Sequence, residues 1–354
     1  MNWFQRQLYK PFFIRLFHWE YWSFNTVYIP IYIFWVALCI RARSFFFFEA
    51  SNPTIKNGGF LTESKKDIFP LIPASLQPAT VFFSIPSNAD IVISELHKNG
   101  LSFPLIGKPD VGSRGRGVKV LTNKNDVRLY VKNAFVDFHI QEFVAYKNEI
   151  GIFYYRFPNE ENGKISGIVR KEFLKVKGDG IKTISQLLME NKRAILQKDV
   201  LEKLYGNDLN EVLINGEEKI LVPYGNHSRG AMFIDDSHLI DETLTKTIDE
   251  ICKQIPGFYF GRFDIRFDNW EDLKHEKKFS IIEMNGAGSE PTHIYDPKHS
   301  IFYAWKEIIR HWFILNKISR QNHKKGYKYL SVSEGIKMFQ DDKMFSQKLA
   351  AMKE

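Results

Sequence analysis

The sequence predicts an α+β fold of antiparallel strand pairs and helices, preceded by an aromatic, hydrophobic N-terminal segment. Hairpin-like strand patterns recur through the C-terminal two thirds of the chain, and amphipathic helical patterns such as residues 239–255 lie between them. With 354 residues, of which 44% are hydrophobic, the chain can bury a sizeable core. The pattern is not the βαβ alternation of a dinucleotide-binding domain.

Composition excludes several classes of protein. There are only two cysteines, Cys39 and Cys252, without metal-type spacing, which favours a reducing compartment over a disulfide scaffold. The net charge is +8, but the basic residues are scattered and no run of five occurs, so we expect no nucleic-acid partner. Phosphate ligands or an anionic membrane surface explain the positive balance equally well.

The N-terminal segment, residues 1–50, has the composition of a membrane-contacting segment. Trp22–Ile40 is a run of 19 uncharged residues followed by Arg41 and Arg43. A membrane-spanning helix needs about 20 apolar residues, and Pro30 interrupts this run. Surface attachment, a span and a buried helix all remain open. We expect membrane-surface contact through residues 1–48, because aromatic and basic residues mix upstream of the run.

The remaining elements follow in chain order after a loop at 50–60. We expect a capped helix at 87–100, strands at 103–109 and 138–144 with a short helix near 126–134, a hairpin within 149–176, a helix over 183–204, a strand pair around a glycine turn at 219–234, a helix at 239–255, a final strand pair at 258–268 and 278–285, and a helix at 298–316. Residues 319–354 are predicted to be a polar C-terminal tail.

Polar residues on the final strand pair indicate a cation site. In FGRFDIRFD, Arg262, Asp264 and Arg266 share one face of the strand. In SIIEMN, Glu283 and Asn285 do the same. If the two strands pair, Asp264, Glu283 and Asn285 offer three oxygen donors, the hard ligands that Mg²⁺ prefers. An ordinary ion pair between Arg262 and Asp264 is the alternative.

A glycine-rich stretch upstream is typical of a phosphate-binding loop. In IGKPDVGSRGRGV, Lys108 is followed by Gly112, Gly115 and Gly117. Such loops bring backbone N–H groups close to anionic oxygens. The stretch is not a P-loop, because GxxxxGK[ST] is absent, and a flexible hairpin tip is the alternative.

The order of these motifs resembles the ATP-grasp superfamily, which includes D-alanine–D-alanine ligases, glutathione synthetases, ribosomal-protein glutamate ligases and cyanophycin synthetase. The resemblance covers roughly residues 60–300 and implies two antiparallel subdomains that grip ATP between them. It implies ATP contacts at Lys65, Lys108, Gly112, Ser113, Gly115, Gly117, Glu142, Phe143, Val144 and Glu149. It also implies that Asp264, Glu283 and Asn285 bind Mg²⁺.

Two further stretches resemble the amino-acid ligases of this superfamily. VKGDGIKTISQLL (176–188) is similar to a segment of cyanophycin synthetase, and GNHSRGA (225–231) resembles a loop near the γ-phosphate and substrate. The resemblance thereby implies phosphate or substrate contacts at Asn226 and Arg229. His227 has no implied role, and a hydrogen-bonded turn residue explains it as well.

The resemblance implies an ATP-dependent carboxylate–amine ligase that forms an acyl phosphate and releases ADP and phosphate, with Arg262 stabilising the developing negative charge. The grasp domain would span 60–318, with an adenine-gripping part at about 100–150 and a Mg²⁺-binding part at about 151–318. Expected substrates are a small carboxylate and an amine, with a lipid-like acceptor suggested by the N-terminus. The expected location is cytoplasmic, at the inner face of a membrane. A non-catalytic ATP-binding protein and a phosphotransferase are the alternatives.

Overall fold

The computed structural model describes residues 9–112, 115–223 and 225–351. The chain forms two compact units, each assembled from separate stretches of sequence. The smaller unit contains the described residues up to Tyr32, together with Val169–Asp235 and Thr292–Glu307. The larger unit contains Ile33–Ile168, Asp236–Pro291 and the described residues from Ile308 onward.

Helices and antiparallel strands alternate, as the sequence predicts. The helices are α1 (Pro11–Phe17), α2 (Phe24–Tyr28), α3 (Tyr32–Ala42), α4 (Lys65–Ile68), α5 (Ala89–Lys98), α6 (Lys124–Lys132), α7 (Ile184–Leu188), α8 (Lys192–Ile195), α9 (Lys198–Tyr205), α10 (Glu242–Lys253), α11 (Trp270–Lys274), α12 (Ile301–Lys324) and α13 (Val332–Ala351). The strands are β1 (Thr80–Phe83), β2 (Leu105–Pro109), β3 (Lys119–Leu121), β4 (Phe138–Glu142), β5 (Asn148–Tyr155), β6 (Lys164–Glu172), β7 (Leu174–Lys177), β8 (Glu218–Val222), β9 (Met232–Asp235), β10 (Phe260–Phe267) and β11 (Phe279–Asn285).

A four-stranded sheet in the larger unit has the order β1-β4-β2-β3. One face is apolar because Phe138 and Ile140 pack with Val92 of α5 and Val127 of α6. Side chains alternate along a strand, so His139 and Gln141 of β4 lie on the other face. Lys108 is directly opposite His139 in the β2–β4 ladder and shares that face. The sheet therefore has one core face and one polar face.

A second antiparallel sheet has the order β11-β10-β5-β6-β9. In the larger unit, Ile152, Phe263 and Ile265 point to one face and pack with α10 residues such as Ile248. The opposite face begins with buried Phe260 of β10. It then becomes charged through Arg262, Asp264 and Arg266, because these residues follow at every second position. The sheet thus carries a row of charges on the face turned away from the α10 core.

In the smaller unit, two predicted elements differ from those observed. The predicted strand pair at 219–234 is wrong, because β8 pairs with β7 while β9 pairs with residues 169–172 of β6. The stretch between β8 and β9 therefore connects two sheets instead of closing a hairpin. The predicted helix over 183–204 is divided into α7, α8 and α9, because Asn191 caps a new helix start by accepting hydrogen bonds from the backbone of Arg193 and Ala194.

The chain ends are more structured than the sequence patterns indicate. α12 continues to Lys324, and the predicted polar tail contains α13, whose Met338 is buried in the larger unit. Within the N-terminal segment, Leu38 and Phe47 are buried in the same cluster. The two units are divided at other residues than the domain boundaries predicted at 50, 60 and 318. Those domain boundaries stay a prediction.

Candidate functional site

The strands β10 and β11 pair in the register that brings the predicted cation ligands together. Asp264 lies opposite Glu283, and Arg262 lies opposite Asn285. Directly opposite residues of an antiparallel pair point to the same face, so all four side chains share one surface of the sheet. A bulge follows Asp264, where the register skips one residue of β11. The apolar alternation of β10 fixes this register by burying Phe263 and Ile265 on the other side.

The charges on this face are paired with one another. Arg262 donates from Nε to Oδ1 of Asp264 at 2.8 Å and from Nη1 to the carbonyl of Glu290 at 3.3 Å. Arg266 donates from Nε to Oε2 of Glu149 at 3.1 Å. The ion pair that the sequence left open as an alternative for Arg262 and Asp264 is therefore present, within one strand. It does not exclude a cation, because Asp264 also faces Glu283.

Lys108 extends from the four-stranded sheet to β11, the strand that carries Glu283 and Asn285. Its Nζ donates to Oε1 of Gln141 at 2.8 Å and to the backbone carbonyl of Ile282 at 3.4 Å. Ile282 immediately precedes Glu283, so this cation from one sheet contacts the backbone of the strand that carries Glu283. Desolvation, together with nearby Lys65, lowers the pKa of Lys108 to about 8 even though Glu283 acts in the opposite direction. The Lys108 ammonium therefore loses its proton more readily than that of an exposed lysine.

Lys65 and the start of the glycine-rich stretch lie together. The Nζ of Lys65 donates to the carbonyls of Asp110 and Gly112 at 3.3 and 3.4 Å. The Oδ1 of Asp110 in turn accepts from the backbone N–H of Lys66. The structure therefore places α4 against the residues that follow Lys108. Gly115 and Gly117 have φ of 67° and 70°, the left-handed conformation that favours glycine. Ser113 lies outside the described residues.

The predicted adenine and ribose contacts lie at the ends of β4 and β5. Glu142 is the last residue of β4, and its backbone N–H donates to the carbonyl of Ala79 at 2.9 Å. Phe143 and Val144 follow in the irregular stretch before β5, and the guanidinium carbon of Arg266 lies 5.9 Å from the centroid of the Phe143 ring. Glu149 is buried and holds Arg266. These residues, like Lys108, Asp264 and Glu283, belong to the larger unit.

The sequence reading missed the loop before residue 64 as part of this site. The carboxylate of Glu63 accepts from the backbone N–H of Gly286 at 2.6 Å, directly after Asn285. Gly59 accepts from the N–H of Gly288 at 2.7 Å, and a Cβ on Gly59 would lie 2.7 Å from the Cα of Gly286. Desolvation raises the pKa of Glu63 to about 7, against the effect of the Gly286 hydrogen bond. Glu63 thus adds a carboxyl group beside the turn that follows the cation site.

His139 is a second residue that the sequence reading missed. It is fully buried on the polar face of the four-stranded sheet, with the centroids of the Phe82 and Phe69 rings 5.2 and 5.9 Å from its own. Neither ring nitrogen has a hydrogen-bond partner. Desolvation, helped by Lys108, lowers the pKa of His139 well below its usual value, so the ring is neutral. A buried polar group without a partner costs free energy of folding.

We therefore expect His139→Leu to raise the free energy of unfolding by about 1–2 kcal/mol, because it removes two unpaired polar atoms while keeping an apolar side chain of similar size. Urea denaturation measures the change. The matched control is Phe138→Leu on the core face of the same strand, which removes buried apolar volume and should lower stability by about 1 kcal/mol. A large loss of stability in His139→Leu would show that the imidazole has a partner that stabilises the fold.

Asn226 and Arg229 lie in the smaller unit, within the connection between β8 and β9. The side chain of Asn226 caps a 3₁₀ turn by accepting from the N–H of Ser228 at 2.9 Å. In the same unit, Glu20 of the N-terminal segment accepts from Nε2 of His227 at 3.2 Å and from Nη2 of Arg193 at 2.6 Å. His227, which the sequence left without a role, therefore links this connection to the N-terminal segment.

The residues at the cation site fit magnesium. Asp264 and Glu283 supply carboxylate oxygens and Asn285 an amide oxygen, all of them hard donors. The Nδ2 of Asn285 is buried without a hydrogen-bond partner, so no hydrogen bond from this atom fixes the orientation of the amide. Across the residues described, no group of three His, Cys, Asp or Glu side chains could hold a metal ion. A cation here would therefore need the amide of Asn285 and ligand oxygens in addition to the carboxylates.

The proteins of known structure that resemble this chain are distant from it. No protein-family model and no curated protein matches the sequence. Solved structures that match include a bifunctional glutathione synthetase from Pasteurella multocida, with TM-score 0.39, 13% identity, and coverage of 74% of this chain and 36% of that one. A D-alanine–D-alanine ligase from Bacillus anthracis complexed with ATP has TM-score 0.41 and 13% identity, covering 74% of this chain and 68% of that one.

A D-Ala:D-Ser ligase from Enterococcus faecalis also matches, with TM-score 0.39 and 17% identity, over 71% of this chain and 62% of that one. The chain thus spans about a third of the glutathione synthetase and about two thirds of the two ligases. With TM-scores below 0.5 the matches carry no weight for function, which has to be inferred from the residues of the site.

Proposed function

We propose that this protein is an ATP-dependent carboxylate–amine ligase of the ATP-grasp type that uses Mg²⁺. The observation that supports this most directly is the hydrogen bond from Lys108 to the carbonyl of Ile282. It brings a partly desolvated cation beside Glu283, which faces Asp264 across the β10–β11 ladder. Phosphoryl transfer chiefly needs charge neutralisation and alignment, and this combination of cation and carboxylates can supply both.

In the proposed reaction, a substrate carboxylate oxygen attacks the γ-phosphorus of ATP, the bond to the β-phosphate oxygen breaks, and ADP leaves. The amine then attacks the acyl phosphate carbonyl, phosphate leaves with the bonding electrons, and the amine loses a proton. Lys65 and Lys108 would hold phosphate oxygens together with backbone N–H groups of the glycine-rich stretch. Bound Mg²⁺ would neutralise phosphate charge at Asp264, Glu283 and Asn285.

The other residues have supporting roles in this proposal. Backbone groups of Glu142–Val144 would bind adenine, and the carboxylate of Glu149 would accept hydrogen bonds from the ribose hydroxyls. Arg262 would stabilise negative charge that develops on the acyl phosphate or oxyanion. Asn226 and Arg229 would contact phosphate or substrate. An unchanged kcat in Arg262→Ala would remove Arg262 from the mechanism.

Two alternatives remain in this proposal. One alternative is a non-catalytic ATP-binding protein. The ion pairs of Arg262 with Asp264 and of Arg266 with Glu149 would stabilise the fold of such a protein as well as that of an enzyme. A phosphotransferase on the same fold would differ by its product, since it releases a stable phosphorylated compound instead of an amide.

The test is ADP release from Mg·ATP by the purified protein, supplied separately with the soluble and the lipid fractions of a cell extract. We expect release that requires one fraction and is lost in Glu283→Gln, while Glu271→Gln, at an exposed position of α11, behaves as the unmodified protein. Hydroxylamine added to the reaction should yield a hydroxamate, because it traps acyl phosphates. ADP release without hydroxamate would favour the phosphotransferase, and ATP binding without any release would favour the non-catalytic protein.

We also propose a cytoplasmic location at the inner face of a membrane, with small carboxylate and amine substrates of which one is lipid-like. Two properties support this proposal: both cysteines are free and buried, and the chain has an apolar N-terminal segment. Residues Phe24–Ala42 are long and apolar enough for a membrane span by length and composition alone, although 28% of that stretch is buried by protein.

A further inference from the structure

Helix α3 presents two different apolar faces. From Ile33 onward it belongs to the larger unit, where Leu38 and Cys39 are buried. Trp35 packs beside them, with ring centroids 4.9 Å from Phe47 and 5.2 Å from Trp312. The carbonyl of Leu38 accepts a hydrogen bond from the buried side chain of Asn316 at 3.1 Å. One side of α3 is therefore fixed on the protein core.

The opposite side of α3 is apolar and exposed. Ile33, Val36 and Ile40 lie at helical spacing and are 72%, 50% and 73% exposed. We call these three residues the α3 stripe. Phe45, just after the helix, is 68% exposed. Exposed apolar residues that follow one stripe of a helix form a contiguous patch. Such patches mark interaction sites, whereas single exposed apolar residues scattered over a surface do not.

The charges around the α3 stripe indicate which kind of partner it binds. Arg41 and Arg43 are exposed at the C-terminal end of the helix, and residues 21–48 contain no acidic residue. An apolar stripe flanked by arginines is the arrangement by which interfacial helices bind bilayers with anionic headgroups. A second copy packed on the same face by two-fold symmetry would bring the arginines of both copies together without a carboxylate from this segment.

We infer that the α3 stripe, with Arg41, Arg43 and Phe45, is a surface on which the larger unit docks to an anionic lipid bilayer without spanning it. The other face of α3 is held by Trp312 and Asn316 of the protein core, so lipid cannot surround this helix as it surrounds a spanning helix. In the smaller unit, α1 independently shows exposed Phe12, Leu16 and Phe17 around Arg15.

The test is flotation of the full-length protein with vesicles of phosphatidylcholine alone or with one third phosphatidylglycerol. We expect binding to the anionic vesicles, reduced at least tenfold in Ile33→Ser/Ile40→Ser because two large apolar side chains no longer enter the bilayer. Arg41→Gln/Arg43→Gln should lose about tenfold on anionic vesicles and be unchanged on neutral ones. The matched control, Ile91→Ser/Leu129→Ser, changes exposed apolar residues on α5 and α6 and should bind as the unmodified protein does.

Four results would overturn the inference. One is an unmodified protein that floats with neither vesicle, and another is a stripe variant that binds as well as the unmodified protein. The third is vesicle-bound protein that resists extraction by alkaline carbonate, which would indicate a span. A dimer that becomes monomeric in the stripe variant, without vesicle binding, would assign the surface to a second copy. None of these measurements uses nucleotide, so they are independent of the ligase proposal.

Discussion

Replacing Lys108 by methionine is expected to weaken Mg·ATP binding about ten- to a hundredfold, which corresponds to the loss of a charge-assisted hydrogen bond of about 1.5–3 kcal/mol. Methionine keeps the apolar part of the side chain but leaves no cation between Gln141 and Ile282. Calorimetric titration of Mg·ATP measures the change. Lys66→Met is the matched control, since Lys66 is the exposed neighbour of Lys65. Unchanged affinity in Lys108→Met would remove Lys108 from the nucleotide site.

The pH dependence of binding gives a second readout for Lys108. Its pKa of about 8 in the free protein means that the ammonium loses its proton as pH rises from 7 to 9. A phosphate oxygen prefers the charged form, so the affinity for Mg·ATP should be highest below pH 8 and fall above it. Lys108→Met should lack this fall. An identical pH profile in the two proteins would assign the titration to another group.

The second large effect is expected in the smaller unit, where Glu20→Ala should lower the free energy of unfolding by about 3–5 kcal/mol. The side chains of Glu20 and Arg193 are only 6% and 8% exposed, and the Oε2 of Glu20 also accepts from His227. Removing the carboxylate leaves the guanidinium of Arg193 buried without its counter-ion. Urea denaturation measures the loss.

A double variant and an acid titration test the origin of this effect. Glu20→Leu/Arg193→Met should be less destabilised than Glu20→Ala, because no charge is left unpaired. Burial raises the pKa of Glu20, but the His227 hydrogen bond and Arg193 outweigh it and hold that pKa below its usual value. The stabilisation is therefore complete above the unfolded pKa of about 4.3 and is lost as pH falls through the lower folded value. A double variant as unstable as the sum of its single changes would refute the coupling.

The cation-site residues were predictable from sequence because the signal is local to each strand. Alternation on β10 places Arg262 and Asp264 on one face, and alternation on β11 does the same for Glu283 and Asn285. Only the pairing of the two strands had to be assumed, and the observed register confirms it. Their roles as magnesium ligands, and those of the other predicted site residues, stay a prediction.

The parts that could not be predicted depend on contacts distant in sequence. Glu63 meets Gly286 across 223 residues, and Glu20 meets His227 across 207. No periodicity encodes such a contact, so the sequence pattern indicated only a separating loop at 50–60 and gave His227 no role. The separation of β8 and β9 into different sheets has the same origin, since a strand pattern specifies faces but not the partner strand.

The most direct measurement of the central claim is a calorimetric titration of ATP into the unmodified protein, with and without Mg²⁺, alongside Asp264→Asn. A nucleotide site at Lys108, Asp264, Glu283 and Asn285 predicts one saturable site whose affinity falls when Mg²⁺ is removed and falls again in the variant. Absence of ATP binding, or binding that is the same with and without Mg²⁺ and in Asp264→Asn, would contradict it.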